Sequence, residues 1–282
     1  MRESRMTAAP TSPMQPHLGR AEPRGALVST YLTFEHPLNE RVRTFLRIEH
    51  LFERLNHFAP QYDEWATRVA VEAVLDIASI TARADVKNEI LKELDRNIST
   101  IKRIADQPGV DPEALNRVLS DLSDAIAGVH RLTGPIGQIA REDDVLKSVA
   151  QRSSIPGGTC SFDLPHFHYW LTQPPEVRQA RLDHWLKDLR PAERAIRLVL
   201  SLARASASPR QVLAEHGFFQ EALDAQAPAQ MVRVGINGTG SLYPEISGHK
   251  SRFSIRFMQP GPQGRPSQIS DNVPFRLTCC VF

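Results

Sequence analysis

Along this 282-residue chain the spacing of apolar residues changes period once, near residue 207. Leu38, Val42, Phe45, Ile48, Phe52 and Leu55 recur at steps of three and four, which puts them on one face of a helix over 38–57, with Pro37 at its first turn. Asp63 is placed to cap a helix carrying Val69, Leu75 and Ile80, and Asp85 a longer one burying Ile90, Leu91, Leu94, Ile98, Ile101 and Ile104. In Asp111-Pro112-Glu113 an N-cap, a first-turn proline and an acid at the positive end of the dipole coincide. The helix they open carries Leu115, Val118, Leu119, Leu122 and Ile126. A short helix is expected over 139–150, and two more begin at Pro174-Pro175 and at Pro191, the last burying Ile196, Val199, Leu200 and Ala203.

Beyond 207 the period is two. Val232, Val234 and Ile236 alternate with Arg233 and Gly235; Phe253, Ile255 and Phe257 with Arg252, Ser254 and Arg256; Phe275, Leu277, Cys279 and Val281 with Arg276, Thr278 and Cys280. Such segments, separated by Gly and Pro, read as an antiparallel meander with one wet face. Gly235, Gly238 and Gly240 lack the lysine and helix of a phosphate loop and read as a hairpin turn. Helices first and strands last indicate an α+β fold: a helical domain over 34–207, then an antiparallel β domain over 208–282 whose first stretch, to 231, reads as a linker. Residues 1–33, with Pro10, Pro13, Pro16 and Pro23, read as a disordered extension.

Charge and cysteine usage narrow the function. Lys+Arg number 34 against 32 Asp+Glu, a net of +2, so no bulk grip on nucleic acid is written into the chain. No apolar run approaches the ~20 residues of a membrane span, and no secretory pattern opens the sequence. The cysteines number three, two of them the neighbours Cys279 and Cys280, which favours reduced thiols in a cytoplasm-like compartment.

The polar residues that stand out are cations. Arg43, Arg47, His50 and Arg54 are spaced four, three and four, forming one helical stripe, with Glu40, Glu49 and Glu53 near enough to neutralise it. Lys250, Arg252 and Arg256 share one face of a strand, which suits a carboxylate- or phosphate-bearing partner or, equally, protects an edge strand from aggregation. Residues 241–282 hold five Lys/Arg against Glu245 and Asp271. Cys160, Asp163 and His168 are the residue types of a thiol hydrolase but carry no signature of one; a small buried thiol with a helix-capping Asp163 is the stronger reading. His166 with His168 falls short of a tetrahedral metal site, and Glu142, Asp143 and Asp144 suit a helix start better than a divalent ion. No catalytic residues, metal or cofactor are expected. A nucleic-acid-binding regulator using the same arginines is the alternative from another class, with no recognition motif behind it.

Several longer motifs go further. Phe34-Glu35-His36-Pro37-Leu38-Asn39-Glu40 running into Arg43-Thr44-Phe45-Leu46-Arg47-Ile48-Glu49 resembles the opening of the bacterial cell-division family ZapD. Leu91-Lys92-Glu93-Leu94-Asp95-Arg96, Ser154-Ile155-Pro156-Gly157-Gly158 with Cys160-Ser161-Phe162-Asp163-Leu164-Pro165, and Leu242-Tyr243-Pro244 with Ile246-Ser247-Gly248-His249-Lys250-Ser251-Arg252-Phe253 resemble it in the same order, over about 34–258. The resemblance implies a helical domain followed by a β domain, and a non-enzymatic cytoplasmic homodimer at the mid-cell division ring. It implies that each dimer binds carboxy-terminal tails of the tubulin-like protein FtsZ on a basic surface and cross-links FtsZ filaments, with no nucleic-acid partner and no membrane insertion. Carried over residue by residue, the tail-binding positions are Arg43, Arg47, Arg83, His168, Lys250, Arg252 and Arg256, with Arg47, Arg252 and Arg256 foremost.

Overall fold

The computed structural model describes residues 31–83, 85–105, 110–224, 226–238, 241–249, 251–261 and 264–281. Its architecture is α+β, with helices over 40–205 followed by antiparallel sheets. The first described element is nevertheless a strand, β1 (Tyr31–Pro37), which pairs with a strand two hundred residues later. It takes in residues 31–33, expected in an extension, and Pro37, expected in a helical turn. Helix α1 (Glu40–Phe58) starts instead at Asn39, whose extended backbone lets its side-chain oxygen accept from the Val42 N–H at 2.9 Å.

Asp63 caps α2 (Glu64–Arg83), accepting from Ala66 N–H at 2.9 Å. The face α2 buries is made of Ala66, Ala70, Val71, Ala73, Val74, Ile77 and Ala78, small residues that let α1 pack closely, while Val69, Leu75 and Ile80 stay half-buried. Asp85 precedes α3 (Val86–Ile104) without capping it, its carboxylate taken by the Asn88 amide at 2.6 Å. Asp111 does cap α4 (Pro112–His130), through Glu113 N–H. The single helix expected over 139–150 is two, α5 (Gln138–Glu142) and α6 (Asp144–Arg152). They break at Asp143, whose extended backbone frees its carboxylate to accept from Val145 and Leu146 N–H at 2.9 and 3.0 Å. Helix α7 (Pro165–Leu171) is too short to show a period, and only the capping role expected of Asp163 pointed to it. Helix α8 (Pro175–Leu186) and α9 (Arg190–Ala205) follow their prolines. Through buried Ala192, Ala195, Ile196, Val199, Leu200 and Ala203, α9 packs on α1, α3 and α4.

The strands are β2 (Arg210–Ala214), β3 (Phe218–Ala222), β4 (Met231–Asn237), β5 (Tyr243–His249), β6 (Arg252–Gln259), β7 (Ser267–Gln268) and β8 (Val273–Cys280). They do not form one meander. One sheet runs β1-β4-β8-β2 and a second β3-β6-β5, with β7 paired to β6. Val232, Val234, Ile236, Phe275 and Leu277 of the first meet Phe253, Ile255 and Phe257 of the second in one core. Alternation marks a buried face on each strand but not the sheet to which it belongs. The expected linker contains β2 and β3, joined by a turn at His216 (φ 50°) and Gly217 (φ 68°) that passes the chain between sheets. A Cβ on Gly217 would lie 2.3 Å from the Ile269 carbonyl oxygen, so only glycine fits there. Gly235 sits inside β4, and β5 pairs with β6, so the glycine-containing connection joins two sheets rather than closing a hairpin; Gly240 lies outside the described residues.

The reverse face of the first sheet is not wet throughout. Met231 and Cys280 join the helical core, and β8 contacts α9. This face docks the strands on the helices. Burial there raises the pKa of the Cys280 thiol to about 11.

Candidate functional site

Residues on α1 shape an open, charged depression. Arg43, Leu46, Arg47, His50 and Leu51 form one wall, Asp76, Ser79 and Ile80 of α2 the other, and Glu35 and Pro37 of β1 close an end, enclosing about 640 Å³. The i,i+4 spacing read from the sequence delivers Arg43 and Arg47 to this groove together with His50. The fourth cation of the stripe is used otherwise: Arg54 Nη2 lies 2.6 Å from Asp76 Oδ2. Arg43 Nε is 3.1 Å from Glu40 Oε1, an exposed i,i+3 pair of small value. Arg47 has no ion-pair partner among the described residues. Glu49 does not neutralise the stripe, because it turns away to a buried cluster.

Arg252 and Arg256 stand with Ser254 on the outer face of the second sheet, both exposed. Strand β6 lies between β3 and β5, so the edge-strand explanation for these arginines does not hold. Opposite them in register on β5 are His249 (to Arg252) and Glu245 (to Arg256). The two cationic regions approach each other where β1 contacts β5, with His36 against the backbone of Gly248, beside His249. Burial holds the His36 pKa below its ordinary value, and the charge of Arg43 adds to that. A Cβ on Gly248 would lie 2.8 Å from Leu38 Cδ2, so glycine allows β5 this close to the start of α1.

The remaining candidates are placed less directly. Arg83 is the last residue of α2, but its side chain lies outside the described residues, as does Lys250 entirely. His168 is half-buried on α7, beside Phe167, and does not line the α1 groove. Cys160 Sγ is 3.3 Å from Asp163 Oδ2, and Asp163 also receives Arg152 at 3.4 Å. Asp163 therefore does not cap α7, whose first-turn N–H groups have no side-chain acceptor. Asp143, one of the three acids weighed as ion ligands, is committed to its capping role and to Arg181 at 3.0 Å. Burial works to raise its pKa, but the nearby Trp185 indole N–H, the Leu146 N–H and Arg181 outweigh that and hold it below the usual carboxylate value. Among the described residues no three His, Cys, Asp or Glu side chains converge as a metal ion would require.

One charged cluster escaped the sequence reading. Arg204 on α9 donates to both oxygens of Glu49 on α1 at 2.8 and 2.6 Å, and to both of Glu35 on β1 at 2.9 and 2.8 Å. Arg233 on β4 adds a bond to Glu35 at 2.9 Å. Burial pushes the Glu35 pKa up, but Arg204 and then Arg233 more than offset it, and the carboxyl sits below its ordinary value; the same bonds raise the pKa of Arg204. The cluster joins helices to sheet at the end of the groove that Glu35 closes. A signal existed: Glu49 falls among Phe45, Ile48 and Phe52 on the apolar stripe, where an ionised carboxylate needs a partner.

The family profile of ZapD, described as a cell division protein, matches residues 46–256. Among curated proteins the chain is similar to the cell division protein ZapD of Methylococcus capsulatus, 40% identical over 251 residues, covering 89% of this chain and 98% of the relative. Similarity to cell division protein ZapD of Escherichia coli is 39% over 254 residues, 90% and 100% of the two chains, and to that of Dechloromonas aromatica 38% over 251 residues, 88% and 99%. With this similarity along nearly its whole described length, and with the helical-then-sheet order it shares with the expectation, the chain belongs to the ZapD family of cell-division proteins.

Proposed function

We propose that this protein is a non-enzymatic adaptor of cell division: a cytoplasmic homodimer that binds the carboxy-terminal tail of FtsZ on its basic surface and cross-links FtsZ filaments at the mid-cell ring. The observation that carries this reading is the α1 groove, where Arg43, His50 and Arg47, which has no ion-pair partner among the described residues, stand beside the apolar walls of Leu46, Leu51 and Ile80. Guanidinium groups offer forked donors to carboxylates, and the adjoining apolar surface takes the hydrophobic residues of the same peptide. The His36–Gly248 contact extends the surface toward Arg252 and Arg256, so a tail leaving the groove meets further cations.

Docking an extended tail costs ordering entropy, so single-site affinity is modest, in the ~micromolar range. Bundling then arises from avidity, because a dimer with two sites faces a polymer that presents many tails. Salt weakens each contact. The direct test is fluorescence anisotropy of a labelled tail peptide of FtsZ from the same bacterium. Arg47→Glu and Arg252→Glu should each weaken binding by about tenfold or more, as expected for a lost charge-assisted hydrogen bond replaced by repulsion. Unchanged affinity in both variants removes the site.

A further inference from the structure

The least ordinary surface of the molecule lies along α2 from the cationic groove. Tyr62, Trp65, Phe162 and Tyr169 are 77%, 76%, 84% and 68% exposed, although aromatic side chains usually bury most of their area. Two arginines draw them together. Buried Arg178 donates to the Tyr62 carbonyl and, at 2.6 Å, to that of Leu171, two residues after Tyr169. Arg68 donates to the Thr159 carbonyl at 3.0 Å and lies over the rings of Trp65 and Phe167 at 5.4 and 5.2 Å. Beside them is a pocket of about 520 Å³ with Val71, Leu75, Val149 and Phe167 in its walls and Ile155 at its lip. Clustered exposed apolar surface of this kind marks an interaction site.

Helix α2 fixes how this pocket relates to the groove. Arg68, Glu72, Leu75, Asp76, Ser79 and Ile80 fall at positions that share one helical face. Arg68 to Asp76 line the pocket, Asp76 to Ile80 line the groove, and Asp76 borders both. The two depressions are one track. Its charge is uneven. At the Ile80 end Arg43, Arg47 and His50 stand with Glu35, which is held by Arg204 and Arg233. At the other end Arg68 is taken by the Thr159 carbonyl, and exposed Glu72 has no ion-pair partner among the described residues.

We propose that this track binds a single extended peptide with two chemical halves. An acidic half sits on Arg43, Arg47 and His50, and an apolar half enters the pocket at Arg68 and lies against exposed Trp65, over whose ring Arg68 sits, with a neutral or basic residue passing Glu72. The proposal rests on the tail-binding reading above and adds a second anchor to it. The reverse orientation is disfavoured because it would take the acidic residues away from Arg43, Arg47 and His50 and set them against Glu72. From Arg68 to Ile80 the helix rises about 18 Å, a distance that an extended chain covers in about five or six residues. The two anchoring segments of the peptide are therefore separated by that spacing.

The test uses the full-length protein and a fluorescein-labelled FtsZ tail peptide. Trp65→Ala should weaken binding about tenfold, as loss of an aromatic anchor does, without lowering thermal stability, because Trp65 is exposed. Replacing the peptide's apolar residues with serine should weaken binding to the unaltered protein by a similar factor and cause no further loss in Trp65→Ala. Since Trp170 and Trp185 are buried, a blue shift of tryptophan emission on peptide addition reports seating at Trp65. If the peptide binds Trp65→Ala and the unaltered protein equally, the second anchor is refuted and the tail reading stands. If it binds neither, both fall. If Trp65→Ala instead halves the mass in sedimentation, the aromatic face belongs to a second copy of the chain and the proposal is overturned.

Discussion

Arg204 reaches Glu35 and Glu49 with paired hydrogen bonds, whereas Arg47 reaches no carboxylate among the described residues. Removing each should therefore be read out differently. Arg47→Glu should leave the unfolding free energy unchanged within about 0.5 kcal/mol, as for an exposed residue away from structural contacts, and act on peptide binding. Arg204→Ala leaves the largely buried Glu49 without this partner and Glu35 with Arg233 alone. Its cost should be about 2 kcal/mol in urea unfolding, below the ~3–5 kcal/mol of a fully buried pair because the cluster is partly wet. Equal destabilisation by the two variants would contradict this division. The sequence showed Arg43, Arg47, His50 and Arg54 as one stripe because a helical repeat is local. It could not show that Arg54 is taken by Asp76, or Glu49 by Arg204, because those partners lie 22 and 155 residues away.

At the scale of elements, helix starts follow local chemistry and sheet membership does not. Asn39, Asp63 and Asp111 act as caps where a short polar side chain precedes an amphipathic stripe, as Asp143 does where one helix was expected and two occur. Asp143→Ala should cost about 1 kcal/mol through the lost cap, plus the contact to Arg181, and a loss below 0.3 kcal/mol by chemical unfolding would sink that account. The strands were found by their alternation only where one face is buried, in β4, β6 and β8. Short β2, β3 and β7, and β1 with its mixed burial, carry too weak a pattern, and their pairing depends on partners far along the chain. The track on α2 was overlooked for a related reason: a mixed stripe of Arg68, Glu72, Leu75, Asp76, Ser79 and Ile80 has no single chemistry until its neighbours are in place.

For the whole molecule, the Glu35–Arg204–Glu49–Arg233 cluster is where helices and sheet are held together at one end of the cationic groove. The pKa of Glu35 is lowered from 4.5 on folding, so its contribution is complete above about pH 4.5 and is lost as pH falls through the folded value. Stability should drop on acidification through that window, and Glu35→Gln should be less stable at neutral pH but show a shallower acid dependence. Identical acid profiles for the two proteins would remove Glu35 from the account. The tail-binding reading proposed above draws on the cations and apolar walls of the α1 groove and on the exposed arginines of β6. The measurement that tests this most directly is co-sedimentation with GTP-assembled FtsZ from the same bacterium, comparing full-length FtsZ with FtsZ lacking its carboxy-terminal tail. The account predicts that the protein pellets and bundles full-length filaments, and that both effects vanish with the tail and fall sharply in Arg252→Glu or Arg256→Glu. Pelleting that persists without the tail, or no pelleting with full-length filaments, would contradict it.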